Sequence, residues 1–371
     1  MNFSDRIKNV NPSMTLAIDA KAKEMKANGE DVIGFGAGEP DFNTPERIKQ
    51  AGIRAIENNE TRYTPVGGSD ALKEAIISKL QRDNGLTYEK NQILASCGAK
   101  HSFYNLAQVL WQAGDEVIIP APYWVSFPEM VTLAGASPLI IHAGAEQDFK
   151  ITPEQIDNAV TPNTKAIMIN SPSNPTGSAY DKSELEKLAE CALRHNLLII
   201  SDEIYEQIVF DGFHHTSIAS ISKEVQKQCV VINGVSKSYA MTGWRIGYIA
   251  AGDPEITKQI SKLQGQSTSN PCSVSQAASI EALAGPLDEV NEMVREFEKR
   301  RNIIVERLTQ IPGVSCNKPT GSFYSFPDFS GVYGKKDMNG KVLKGSLSFT
   351  DYLLSTEKVA IVPGIAFGAD S

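Results

Sequence analysis

Three short apolar runs constrain this chain most: Ala166-Ile167-Met168-Ile169, Leu197-Leu198-Ile199-Ile200 and Val230-Val231-Ile232. Runs this short, apolar throughout and rich in β-branched residues, read as buried strands. Between the first two lies a helical stretch. It opens at Asp181, with Glu184 placed to complete a capping box, and carries Leu185, Leu188, Ala189, Ala192 and Leu193 on one side. Strands that alternate with amphipathic helices specify βαβ units and a mainly parallel sheet, so the expected fold class is α/β. In such sheets ligands gather at the carboxyl ends of the strands.

The other segments extend this pattern. Residues 13–27 read as a helix capped by Ser13, with Leu16, Ala17, Ala20 and Met25 facing inward. Residues 32–35 read as a short strand. Ser69 opens a helix over 69–82 whose face is Leu72, Ile76 and Leu80. Strands follow at Ile93-Leu94-Ala95-Ser96, with an apolar helix through Trp111 after it, and at Val117-Ile118-Ile119. Thr152-Pro153-Glu154-Gln155 is a capping-box helix start with proline at its first position. A long helix is predicted over 287–310, with Val290, Met293, Val294, Phe297, Ile304, Val305 and Leu308 on one side. After Gly313 the pattern changes to short strands and turns, through Ser322-Phe323-Tyr324-Ser325-Phe326. The expectation is a large domain over 46–286. Residues 1–45 and 287–371 would form an N-terminal arm and a smaller α+β domain.

A chain of 371 residues, 41% hydrophobic, can build two such cores. Its net charge of −8 argues against nucleic acid and anionic membranes as partners, but leaves room for a local cationic pocket. The five cysteines are scattered, with no C-x-x-C pair, which suits free thiols in a reducing compartment and offers no zinc motif. No metal is expected. There is no apolar leader and no run of about 18 apolar residues, so a cytoplasmic protein is predicted.

The chemistry sits where the strands end. Lys237 follows the third run, between Ser236 and Ser238, with Arg245 downstream. A lysine at the mouth of a buried strand is either a solvated surface group or a desolvated amine. In the second case its pKa falls and the neutral amine can attack a carbonyl. Ser236 and Arg245 could hold a phosphate beside it. A carbonyl compound that carries a phosphate and takes a lysine is pyridoxal 5′-phosphate. A P-loop fails, because Ser236 stands where glycine is needed. Gly36-Ala37-Gly38 fails as a dinucleotide fingerprint, because Glu39-Pro40 follows where a helix should open. Cys97-Gly98-Ala99-Lys100, between strand and helix, is either a phosphate-binding turn or a generic one. Trp124 reads as core or as a platform for a planar ring. Asn174 and Asp202 follow strands at the same end as Lys237, and that agreement supports the cofactor reading.

Ser173-Asn174-Pro175-Thr176-Gly177, Asp202 with Tyr205, and Ser236-Lys237 followed by Gly243-Trp244-Arg245-Ile246-Gly247 together resemble the class I pyridoxal-phosphate-dependent aminotransferases of fold type I. The resemblance runs from Gly38-Glu39-Pro40-Asp41-Phe42 to Val362-Pro363-Gly364-Ile365-Ala366-Phe367-Gly368, nearly the whole chain. The segment Pro122-Tyr123-Trp124-Val125-Ser126-Phe127-Pro128 is most similar to the bacterial aspartate aminotransferases of the Ib branch. The resemblance implies a seven-stranded sheet and a transaminase that moves the amino group of L-aspartate to 2-oxoglutarate. By it, Lys237 bonds the cofactor and then shuttles the substrate's Cα proton. Asp202 pairs with the ring nitrogen, Asn174 and Tyr205 hydrogen-bond the phenolic oxygen, and Trp124 stacks on the ring. Gly98, Ala99, Lys100, Ser236 and Arg245 hold the phosphate, with the backbone of the turn outweighing the Lys100 side chain. Tyr63 reaches the phosphate of a neighbouring subunit, which implies a homodimer. Gly38, Trp124 and Asn174 border the substrate.

One departure stands out. The family's carboxylate-binding arginine falls shortly after the Gly368 motif, whereas the last arginine here is Arg307. The expectation is an incomplete sequence; a complete one would bind the cofactor but transaminate poorly. Alternatives are aromatic, prephenate or alanine specificity, a lyase acting on cysteine-like substrates, or a cofactor-binding protein without turnover. Regulators that borrow this fold usually carry a DNA-binding segment in front, and residues 2–12 are too short for one.

Overall fold

In a computed structural model, residues 2–338 and 340–369 are described. Asp370 and Ser371, past the last motif, lie outside them. In chain order the strands are β1 Ile33–Gly34, β2 Ile93–Ser96, β3 Glu116–Ala121, β4 Ser137–His142, β5 Thr164–Asn170, β6 Leu198–Asp202, β7 Cys229–Gly234, β8 Gly247–Ala251 and β9 Val359–Ala360. Seven form one sheet in the order β2-β8-β7-β6-β5-β3-β4. Only β8 runs antiparallel to its neighbours, β2 and β7. The expected α/β class with a mainly parallel, seven-stranded sheet is therefore present. β4 and the helix Ser126–Leu133 before it are additions to the sequence reading. The partly polar Ser137-Pro138 start of β4 hides its edge position.

The pleat sorts each buried run onto two faces. Val231 joins Ile167, Ile169 and Ile199 under the helices Asp70–Asn84, Lys182–Arg194 and Ser273–Ala284. Val230 and Ile232 join Met168 and Ile200 under the helices Ala99–Leu110, Ser126–Leu133 and Pro254–Gly265. Every residue of β7 is buried, and each such Val or Ile contributes about 1.5–3 kcal/mol through burial. Helix starts follow the predicted caps: Ser69 accepts from the Leu72 amide, and Thr152 and Asp181 each close a capping box.

The flanking segments differ more from expectation. β1 pairs in parallel with β9, so the N-terminal segment does meet the C-terminal one. The helix Met14–Ala27 buries Ala22, with Ile18 and Met25 packed alongside, whereas Leu16 is exposed. The helix Asp288–Thr309 buries Val290, Met293, Phe297 and Arg301, but Ile304 near its end is exposed. The run 322–326, in the stretch expected as short strands and turns, is a loop pinned by isolated bridges at Val209–Gly321 and Ser315–Asp328. Its aromatic residues suit a strand by composition, while Ser322 takes a left-handed φ of 57°. No helix among the described residues is long and apolar enough to cross a membrane.

A buried ion pair ties the helix layer to the strand ends. Lys79 donates to Glu206, which also accepts from Asn84 at 2.8 Å and from Asn233 of β7 at 2.7 Å. Burial pushes the Glu206 carboxyl up, but Lys79 and His215 outweigh it and hold its pKa below the ordinary value. Removing one partner of such a pair leaves a naked charge. Lys79→Met is expected to cost about 3 kcal/mol in urea unfolding at pH 7. Without the lysine, burial raises the Glu206 pKa, so the deficit should narrow as pH falls toward the ordinary glutamate value of 4.5.

Candidate active site

The sheet brings three strand ends into register. Asn170, last in β5, pairs with Asp202, last in β6, and Asp202 pairs with Ile232 of β7. Asn170 donates to the Asp202 carbonyl at 3.1 Å and accepts from the Asn174 amide at 2.8 Å. With the Ser171 amide, which donates to the same carbonyl at 3.2 Å, that side chain holds the start of the 171–177 loop over β6. After Gly234 the chain leaves β7 and presents Ser236, which is buried, and Lys237, which is half-buried.

The Lys237 amine donates to the Gly38 carbonyl, with the rings of Phe323 and Tyr205 at 5.6 and 6.0 Å. Burial lowers its pKa to about 8; Glu39 and Asp202 oppose the fall, while Arg245 and Lys100 add to it. Asp202 is 7% exposed. Burial raises its carboxyl to about 7, against the pull of the Ile204 amide, which donates to it at 3.1 Å. Glu203 next to it, bonded to Ser201 and Ser217, adds to the rise. Among the described residues no cation forms an ion pair with Asp202, so this carboxylate is in want of a positive partner.

Beside this pair the chain builds an anion corner. Gly98 takes φ 91° and opens the 12-residue helix Ala99–Leu110, whose first amides are free to face an anion. A Cβ on Gly98 would lie 2.3 Å from the Arg245 guanidinium, so the glycine is what lets arginine and turn meet. Arg245, itself left-handed at φ 57°, donates to the carbonyls of Thr242 at 2.9 Å and Cys97 at 3.2 Å. A Cβ on Gly247 would lie 2.1 Å from the Ala99 amide nitrogen. The first residue of β8 thus fixes how closely the turn lies on the sheet.

The Trp124 ring packs edge-on to Phe127 at 5.1 Å and carries the Lys100 ammonium 4.9 Å over its face. Desolvation, then Arg245, lowers the Lys100 pKa. The structure thus brings Gly38, Tyr205 and Asp202 to Lys237, Gly98 to Arg245, and Lys100 to Trp124. Tyr63 stands apart from them, 92% exposed.

Two residues escaped the sequence reading. Tyr324 places its hydroxyl 2.8 Å from that of Tyr205 and accepts from Asn174 at 3.2 Å. Gln264 is fully buried. Its amide donates to the carbonyls of Val66 and Ala95, and its oxygen accepts from Ser96 and Asn105. It locks the end of β2 to the helix that follows. A glutamine on the same face as Thr257 and Ile260 was the available signal. Tyr324 left none, because its neighbours lie far away in sequence.

A buried carboxylate lacking a cation, a lysine of lowered pKa and a glycine-arginine anion corner fit pyridoxal phosphate. They offer a place for its ring nitrogen, its carbonyl and its phosphate respectively. Residues 30–371 match the family described as aminotransferase class I and II. The aspartate aminotransferase of Bacillus sp. (strain YM-2) is 54% identical over 369 residues, covering 100% of this chain and 93% of that protein. The aspartate/prephenate aminotransferase of Cereibacter sphaeroides is 48% identical over 367 residues, covering 99% and 92%. The crystal structure of an aspartate aminotransferase from Rhizobium meliloti superimposes with a TM-score of 0.97 at 43% identity, covering 100% and 93%. That of the Thermus thermophilus aspartate aminotransferase with maleate gives 0.91 at 38%, covering 99% and 93%. The chain belongs to the class I and II aminotransferase family. It is an aminotransferase that depends on pyridoxal phosphate, of the type found in bacterial aspartate aminotransferases.

Two outcomes follow, the first for the cofactor-free protein. Asp202 binds its proton more tightly folded than unfolded, so its contribution to stability should decline as pH rises from 3.8 to about 7. Asp202→Asn should lose that slope in urea titrations across this range. Gly247→Ala should leave a folded protein that retains cofactor at least about tenfold less well by equilibrium dialysis, because the Ala99 amide must move.

Proposed function

We propose that this chain is an aspartate aminotransferase, passing the amino group of L-aspartate to 2-oxoglutarate and giving oxaloacetate and L-glutamate. The observation that carries the reading is the placement of Lys237, past β7, beside Asp202 at the end of β6: an amine whose pKa burial lowers to about 8 next to a buried carboxylate that lacks a cation. Similarity to aspartate aminotransferases over the whole chain supports the donor. So does the maleate, a dicarboxylate, in the Thermus thermophilus structure. Prephenate is a second acceptor class to test, since the Cereibacter sphaeroides relative is named for both.

In this reading the side chains divide the work. When bound, the cofactor takes up the amino group at its carbonyl and draws electrons from the substrate's Cα through its ring. Asp202 supplies the fixed negative charge that keeps the ring nitrogen protonated. Lys237, neutral once released, would take the Cα proton and deliver it to the carbon that was the cofactor's carbonyl, across the nitrogen from Cα. The turn Gly98-Ala99-Lys100, Ser236 and Arg245 hold the phosphate, and Trp124 stacks on the ring. Asn174 and Tyr205 donate to the phenolic oxygen, and Gly38 and Asn174 border the substrate. Tyr63, fully in solvent in one chain, is assigned to the partner's phosphate in a homodimer. The large domain is assigned to 46–286, the arm and small domain to 1–45 and 287–371, and the protein to the cytoplasm.

The test is spectral. Cofactor-loaded protein should lose its visible band on addition of aspartate or glutamate and keep it with phenylalanine or alanine at equal concentration. Lys237→Ala should slow the aspartate reaction by at least about 10⁴-fold. Bleaching by phenylalanine alone would contradict the substrate assignment. Bleaching of Lys237→Ala at the parent rate would contradict the site.

A further inference from the structure

We propose that Tyr324 is a positioning residue for the reaction, orienting the Tyr205 hydroxyl through a phenol-to-phenol hydrogen bond. The inference rests on the reading that Tyr205 donates to the cofactor's phenolic oxygen. Tyr324 arrives from the 322–326 loop, outside the sheet, and its hydroxyl meets three elements there. Asn174, on the loop after β5, donates to it at 3.2 Å. Tyr205, just past β6, lies 2.8 Å away. Gly38 forms the third wall: a Cβ there would sit 2.8 Å from the Tyr324 oxygen, so the missing side chain is the space the hydroxyl fills.

Proton counting sets the direction of the chain. Each phenol has one proton to give and can accept elsewhere. Asn174 already donates to Tyr324, so the Tyr324 proton is free to go to Tyr205. Tyr205 accepts it and turns its own proton outward, toward the Lys237 side. A hydroxyl that accepts one bond donates the next more strongly. Burial raises the pKa of both phenols, so both hold their protons through neutral pH. Ring packing fixes the geometry: Tyr205 meets Phe323 edge-on at 5.4 Å and Tyr324 at 5.7 Å, and Phe323 also lies 5.6 Å from the Lys237 amine. Removing the Tyr324 hydroxyl therefore leaves Tyr205 in place and weakens it as a donor. The phenolic oxygen then keeps more negative charge, and the lysine-bound nitrogen holds its proton to higher pH.

The experiment is a pH titration of the visible absorption of cofactor-loaded wild type, Tyr324→Phe, Tyr205→Phe and the double variant. Tyr324→Phe should raise the midpoint by about 0.5–1 pH unit, Tyr205→Phe by more, and the double variant by no more than Tyr205→Phe alone. Gly38→Ala, which crowds the hydroxyl without deleting it, should move the midpoint in the same direction and serves if Tyr324→Phe does not fold. A Tyr324→Phe midpoint equal to wild type while Tyr205→Phe shifts would overturn the proposal and leave the parent reading intact. Additive shifts in the double variant would also overturn it, since Tyr324 would then act without Tyr205. Absence of a visible band in wild type would defeat the parent reading itself.

Discussion

Scarcity of water at two neighbouring strand ends governs this molecule. Asp202 closes β6 and Lys237 stands just past β7, and the parallel ladder between those strands leaves neither group free to move away. Each would be fully ionised in water. Here burial draws them toward neutrality from opposite sides, the acid up to about 7 and the amine down to about 8. A site that leaves both groups close to exchange at physiological pH is a site for moving protons. The same burial leaves the carboxylate in need of a cation, which a protonated ring nitrogen would supply.

Much of the surrounding structure keeps that arrangement rigid. Gly98 and Gly247 are small because backbone and guanidinium must approach where a Cβ would stand. Gln264 spends its whole hydrogen-bonding capacity on the Val66 loop, the end of β2 and Asn105 in the helix that follows. Glu206, adjacent to Tyr205, is tied to Asn233 of β7 and to Lys79 in the helix layer. These contacts touch no substrate. They convert the stability of the sheet into the placement of a few atoms, which reactions sensitive to ångström displacements require.

What the sequence disclosed and what it concealed divide along physical lines. Strand runs, capping boxes and the order of motifs are local, and they located β2, β5, β6 and β7 and the residues at their ends. Lys237, Asp202 and Gly38 were named from sequence and do meet, because strand ends share one edge of a parallel sheet. Concealed features depend on distant partners. Whether Leu16 or Ala22 is buried depends on β9, more than three hundred residues away. The aromatic composition of 322–326 suits a strand, but Ser322 is left-handed and the run is a loop. Tyr324 and Gln264 gain their roles from neighbours that no spacing rule connects.

The claim that the reactive amine is short of water can be measured on the cofactor-free protein. Reductive methylation with ¹³C-formaldehyde gives each lysine an NMR signal, and Lys237→Arg identifies the one of interest. Titration of that signal should show a midpoint of about 8, well below its 10.5 reference. A midpoint at the reference value would mean that the amine stands in solvent, and the site as described would not exist.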